Sequence, residues 1–195
     1  MNTIPGLRLL WILCLSLMMV SCAIETREPA EKEPAKVEKI IISEQAQQQF
    51  DEALKLLDEK HYEQAVNILN QLVKEESRFA APFVNLGMAY KRMGDPAKAE
   101  ENLRRAVDID LGNAQANNEL GMLYRKQGRF ADARKAYENA LADHPDYLPS
   151  LQNLGILCDL YMGDLECALN QYEKYLDIED NKNIKIWITD LKRRM

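Results

Sequence analysis

The sequence predicts an all-α fold: a short right-handed solenoid of four stacked helix–turn–helix units, closed by a C-terminal capping helix. Three observations carry the prediction. Leu86-Gly87 recurs as Leu120-Gly121 and again as Leu154-Gly155, each 34 residues on, and a fixed period of this length marks stacked helical pairs. Within each unit apolar residues fall at three- and four-residue spacing, the helix period, and no stretch alternates with the period of a strand. Glycine and proline are sparse (8 and 7 among 195 residues) while Ala, Leu, Glu and Lys abound, which leans the same way. The length suits one domain with an appendage.

The appendage comes first. Arg8 precedes an apolar run, "LLWILCLSLMMV", from Leu9 to Val20, followed by Ser21 and Cys22. A run of twelve residues is too short to span a bilayer, which takes about 20, but it has the length of a signal-peptide core. "MVSC" resembles the bacterial lipoprotein signal, in which a small residue precedes a cysteine that is lipidated and becomes residue one. Met19 stands where that signal usually has Leu. The resemblance implies a signal peptide over 1–21, which removes Cys14, and a lipid on Cys22. Ala23, in place of Asp, implies sorting to the outer membrane of a two-membrane bacterium, facing the periplasm. Several acyl chains at about 0.8 kcal/mol per methylene hold a protein at a membrane essentially permanently.

From Glu25 to Lys39 the sequence reads "ETREPAEKEPAKVEK". It has almost nothing apolar to bury, so residues 22–42 are expected to be the lipidated cysteine and a disordered, solvated tether. At about 3 Å per residue, fifteen such residues reach roughly 45 Å.

The repeats occupy 43–181, with frames beginning near Ala46, Ala80, Ala114 and Leu148. Tyr90 and Tyr124, Gly94 and Gly128, Ala99 and Ala133, and Ala106 and Ala140 all keep the step, which reaches back to Ala65. Gly94-Asp95 and Gly128-Arg129 split the two helices of their units. Gly87 and Gly121 fall mid-helix, where Gly costs about 1 kcal/mol relative to Ala. Close helix contact must offset that cost, with Ala99, Ala106, Ala133 and Ala140 as the small partners that permit the approach. Pro145 fits a helix boundary. One helical pair cannot bury its apolar stripe alone, so the pairs stack. The last segment, 182–195, reads as the capping helix: Ile184, Trp187, Ile188 and Leu191 form an inner stripe, and Lys192 to Arg194 suit a helix C-terminus.

These repeats resemble the tetratricopeptide repeat family, whose 34-residue unit carries Leu-Gly, Tyr, Gly, Ala, an aromatic, Ala and Pro in these places. The resemblance covers about residues 46–180. The first frame departs from it, with Glu52-Ala53 where Leu-Gly belongs, as suits an end repeat facing solvent.

Catalysis has little to work with. The two histidines, His61 and His144, fall beside turns of different repeats and read as solvated loop residues. No Gly-rich phosphate loop follows a strand, and the carboxylates sit beside Lys and Arg on helix exteriors, as in "KAEENLRR". The expectation is a non-enzyme without cofactor or metal. A net charge of −6 argues against nucleic acid as partner. Loss of residues 1–21 takes Arg8 and no acid, so the mature body is more acidic still.

The stretch "ILCDLYMGDLEC", Ile156 to Cys167, departs from register. Gly163 comes eight residues after Gly155, whereas Gly94 and Gly128 come seven after theirs. The fourth unit therefore has either a longer turn or a bulge in its first helix. Cys158 takes the inward place of Tyr90 and Tyr124, and Cys167 opens the second helix beside Ala168. Too few Cys and His are near for zinc, and the spacing is too wide for a Cys-x-x-Cys redox site. Two readings stay open: a pair of buried or half-buried thiols, or a structural disulfide in an oxidising compartment.

The family resemblance implies that a partner peptide lies along the concave face made by the first helix of each repeat. Its fifth place gives Phe50, Val84, Asn118 and Gln152; its ninth gives Leu54, Met88, Met122 and Ile156. An Asn at the ninth place, which would grip a C-terminal carboxylate, is missing four times out of four. The inference is an apolar, Met-containing groove edged by Lys91, Arg92, Arg125 and Lys126, suited to an amphipathic helix or apolar strand with acidic flanks. The rival reading has Leu54, Met88, Met122 and Ile156 simply finishing the core. The arrangement of leader, tether and repeats resembles the pilot lipoproteins of type IV pilus and related secretion systems. That implies a protein-binding adaptor that assists assembly of an envelope machine. The alternative is a structural protein that self-associates as a homodimer, with no client peptide.

Overall fold

A computed structural model describes residues 42–195. The expected signal peptide, Cys22 and all but the last residue of the tether lie outside the described residues. Those described form α1 (Glu44–Asp58), α2 (Tyr62–Glu75), α3 (Ala80–Met93), α4 (Pro96–Ile109), α5 (Ala114–Lys126) and α6 (Phe130–Asp143). They continue as α7 (Leu148–Ile156), which runs directly into a π-helical segment (Leu157–Met162), then α8 (Leu165–Ile178) and α9 (Lys182–Arg194). Each antiparallel pair packs on the next, and α9 packs on α8.

Local sequence sets many of the boundaries. The side chains of Ser43, Asp95, Asn113, Asp164 and Asn181 each accept a backbone N–H from the first turn of the helix that follows. Such caps satisfy donors the helix itself cannot. Pro96 and Pro149 sit in first turns, where no N–H is needed. Gly94, Gly128 and Gly163 end the first helices of units two to four in the left-handed region, at φ 82°, 76° and 66°. The first unit has Lys60 in the same place, at φ 62°, a conformation in which a Cβ is disfavoured.

The one-residue lag of the fourth unit is a helix bulge. In units one to three the N–H after the left-handed residue donates five residues back: His61 to Leu56 O, Asp95 to Tyr90 O and Arg129 to Tyr124 O, at 2.8, 2.9 and 2.9 Å. In the fourth, Asp164 N–H donates to Cys158 O at 2.9 Å, six back. The π turn absorbs the additional residue, so Gly155 before it and Ala168, Tyr172 and Tyr175 after it all keep their packing places in the core.

The mid-helix glycines do mark close helix contact, but their partners are large. A Cβ on Gly87 would lie 2.5 Å from Leu103 Cγ, and on Gly121 and Gly155 it would lie 2.4 Å from Cε1 of Tyr137 and Tyr172. The four alanines expected as the partners are fully buried beside them, yet the missing Cβ makes room for Leu103 and two aromatic rings. Each glycine accepts a side chain from the second helix of its own unit. Of the capping stripe, Ile184, Ile188 and Leu191 are buried, and Trp187 packs against the Tyr172 ring at 5.6 Å.

Candidate protein-interaction face

The first helices touch in succession, α1 with α3, α3 with α5 and α5 with α7, so residues at one repeat place line up across the units. The ninth-place row, Leu54, Met88, Met122 and Ile156, is half-buried throughout, each residue packed on the core by one side. The row thus helps to complete the core and still presents apolar surface. Gln115 Nε2 donates to Met88 Sδ at 3.4 Å, and Asn118 Nδ2 lies 3.7 Å from Met122 Sδ.

The fifth place behaves differently. Phe50, Val84 and Asn118, read from the sequence as groove lining, are buried, and only Gln152 is half-exposed. Asn118 Oδ1 accepts from Ser150 Oγ at 3.3 Å and from Asn153 Nδ2 at 3.0 Å. It therefore ties α5 to α7, and its hydrogen-bonding capacity is spent inside the protein.

The basic rim is thinner than its residue types imply. Lys91 pairs with Glu119 of the next unit, both largely buried, so it brings little net charge to the surface. Arg125 stacks over the Tyr161 ring, 5.8 Å from its centroid. Arg92 and Lys126 are exposed. Behind α5 the Tyr137 hydroxyl is buried with no hydrogen-bond partner. Burial pushes its pKa well above the ordinary value, against a smaller opposing pull from Arg125.

His61 and His144 are the flanking residues at the start of α2 and the end of α6, both exposed. A disulfide joins Cys158 to Cys167, with Cα atoms 5.9 Å apart. Asp164 Oδ lies close to both sulfurs, but bonded sulfurs supply no thiolate to a metal. Asp164 instead caps α8 and pairs with Arg134 at 3.0 Å. The Cys167 N–H holds its carboxyl below the ordinary pKa, and Arg134 adds to the effect.

Sequence reasoning did not find Glu119 or Tyr161. Glu119 answers a lysine 28 residues away, a separation that no local rule links. Tyr161 had a signal, since it lies on the stretch with the additional residue.

A helical-repeat array with a half-exposed apolar row along one set of helices defines a protein-interaction scaffold. Two models described as tetratricopeptide repeat match residues 80–113 and 112–179, together just over half of the chain, and the chain belongs to that family. Among curated proteins it is 34% identical over 93 residues to the probable UDP-N-acetylglucosamine–peptide N-acetylglucosaminyltransferase SPINDLY of Solanum lycopersicum, covering 48% of this chain and 10% of that one. It is 26% identical over 139 residues to the auxiliary subunit of the N-terminal acetyltransferase A complex of Arabidopsis thaliana, covering 71% and 15%. The chain thus spans only a small part of these relatives. Among solved structures, PilF of Pseudomonas aeruginosa superposes with a TM-score of 0.69 at 23% identity, over 76% of this chain and 68% of that one. MamA of Desulfovibrio magneticus superposes with a TM-score of 0.66 at 17% identity, over 79% and 87%. YrrB, described as having an unusual peptide-binding site, does so with a TM-score of 0.61 at 19% identity, over 74% of each. At these identities the likeness is one of fold.

Proposed function

We propose that the protein is a non-catalytic, lipid-anchored adaptor of the outer membrane that holds a protein partner in a concave groove on the periplasmic side. It would assist assembly of an envelope machine such as a pilus or secretion system. One observation carries the binding part of this reading: Leu54, Met88, Met122 and Ile156 stay half-exposed in register on successive first helices, so a partner helix or strand gains a continuous apolar track. The anchoring part rests on the "MVSC" stretch ending at Cys22, and the envelope machine on the shared architecture with pilot lipoproteins and the fold likeness to the pilus-related PilF.

The test of the groove is Met88→Lys with Met122→Lys. Crosslinking in envelopes is expected to lose its partner band, while helicity and melting temperature stay near those of the parent. Unfolding of the variant would make these residues core and defeat the reading. Cys22→Ser is expected to release the chain from membranes, and retention would defeat the anchor. Self-association is the second reading, favoured by Ile178, Ile186 and Met195, which are exposed at and around the capping helix. A stable dimer in light scattering that dissociates on Ile186→Glu would support it over a client peptide.

A further inference from the structure

The end of the fourth unit's first helix is built unlike the others. Before the left-handed glycine the second unit has Lys91-Arg92-Met93 and the third Arg125-Lys126-Gln127, while the fourth has Leu160-Tyr161-Met162. These three are 68%, 48% and 39% exposed; Leu160 and Tyr161 put large apolar side chains in water where the second and third units place cations, and Met162 matches the exposed Met93 of the second unit. They lie on the π-helical segment, and such insertions recur at functional sites. Contiguous exposed apolar surface of this kind marks interaction sites.

The segment is held from several sides. The Cys158–Cys167 disulfide ties it to α8, and Asp159 pairs with Arg194 of α9 at 2.6 Å. Tyr161 packs against Phe130 of α6 with ring centroids 5.1 Å apart, and Arg125 of α5 covers its ring. A knob fixed in this way loses little freedom on binding.

Charge selects the partner. The acids on either side of the knob, Asp159 and Asp164, are each engaged, with Arg194 and with Arg134. Over the Tyr161 ring stands Arg125, and the exposed Lys126 follows it at the end of α5. Arg194 and Arg134 are each shared with a second acid, Arg194 with Asp190 and Arg134 with Glu138, so the charge at the knob that favours a carboxylate is that of Arg125 over the Tyr161 ring.

We infer that Leu160, Tyr161 and Met162 form a docking knob for a partner segment with a large apolar side chain beside a carboxylate, the carboxylate received by Arg125. The inference rests on the reading that the first-helix face binds a protein, and it sets where along that face the partner is anchored.

The test uses the full chain and a phage-displayed library of random dodecapeptides. Selected peptides are expected to place Asp or Glu beside Phe, Trp or Leu. Synthetic copies, followed by fluorescence polarisation, should bind about tenfold more weakly to the Leu160→Ser/Tyr161→Ser variant, the loss expected for an aromatic anchor. Binding should also weaken between about 0.05 and 0.5 M salt. Leu160 is exposed, but Tyr161 gives up its contacts with Phe130 and Arg125, so the variant's circular dichroism melt should fall by a few degrees at most and its helicity at the assay temperature should match the parent. Selection of basic peptides, selection of none, or unchanged affinity in the variant would each overturn the inference, as would a dimer that the variant dissociates. If Met88→Lys/Met122→Lys abolishes binding while the Leu160/Tyr161 variant does not, the groove stands and the knob falls. If only the knob variant matters, the groove reading is the one that fails.

Discussion

Replacing Gly121 by alanine puts a methyl carbon 2.4, 2.6 and 2.7 Å from Cε1, Cδ1 and Cζ of Tyr137, well inside any van der Waals contact. The ring has nowhere to go, because the whole side chain is buried. Overpacking of this kind costs about 1–3 kcal/mol, and the better helix propensity of Ala returns up to about 1 kcal/mol. The net expectation is a loss of about 1–2 kcal/mol, seen as a Tm lower by about 3–8 °C in a body of this size. The decisive assay is a double-mutant cycle by urea unfolding with Tyr137→Val, which withdraws the ring atoms. If the contact is the cause, the double variant is more stable than the sum of the single losses by about 1 kcal/mol or more. Gly128→Ala is the control: a Cβ there meets nothing within 4 Å, but φ is +76°. It should lose about 1–2 kcal/mol from backbone conformation with no coupling to Tyr137. Additive losses for Gly121→Ala and Tyr137→Val, or a Gly121→Ala chain as stable as the parent, would refute the packing account.

Three further outcomes follow from individual features. Lys60→Gly relieves a left-handed non-glycine residue and should stabilise the fold by about 1 kcal/mol, read as a higher urea midpoint at unchanged m. Cys158→Ala/Cys167→Ala opens a loop closed by cysteines nine residues apart, worth about 2.5–3 kcal/mol in the chain-entropy treatment. Faster amide exchange confined to the π segment and α8 is expected, and exchange unchanged from the parent would count against it. Asp164 has its pKa lowered in the folded state, by the Cys167 N–H first and then Arg134. Its stabilising contribution is therefore complete above the unfolded carboxylate value of about 3.9 and is lost as pH falls through the lower folded value. Melts of Asp164→Asn should show a weaker decline in Tm below about pH 4.

The repeat architecture was legible because packing in an array of identical units obliges each unit to solve one problem in one way. A Gly, an Ala and an apolar pair therefore return at fixed spacing, and the period exposes them. The additional residue of the fourth unit was legible for the same reason, as the distance from Gly155 to Gly163. Its form was not, since a longer turn and a π turn use the same number of residues. The burial of the expected face residues was legible in part. The repeat place says which helix face a residue occupies, but Phe50, Val84 and Asn118 sit at a place whose depth depends on how far the neighbouring helix leans over it, and all three are buried. The glycine partners were found only in part: the Ala99 backbone does approach Gly87, but the closest atoms come from Leu103, Tyr137 and Tyr172, which reach across from the facing helix.

By itself the sequence determined the class of fold, the register of the units, the capping stripe of α9 and the oddity at Ile156 to Cys167, all of which follow from spacing along the chain. Only the tertiary structure decided that Lys91 is neutralised by Glu119, that Arg125 covers Tyr161, and that Asp159 answers Arg194. It also brought Cys158 and Cys167 into a disulfide. The ion pairs and the ring contact join residues of different units or of the cap, and the disulfide spans the π-helical segment and joins it to α8. Local spacing governs which way a side chain points, but the angle at which one helix pair stacks on the next governs what it meets.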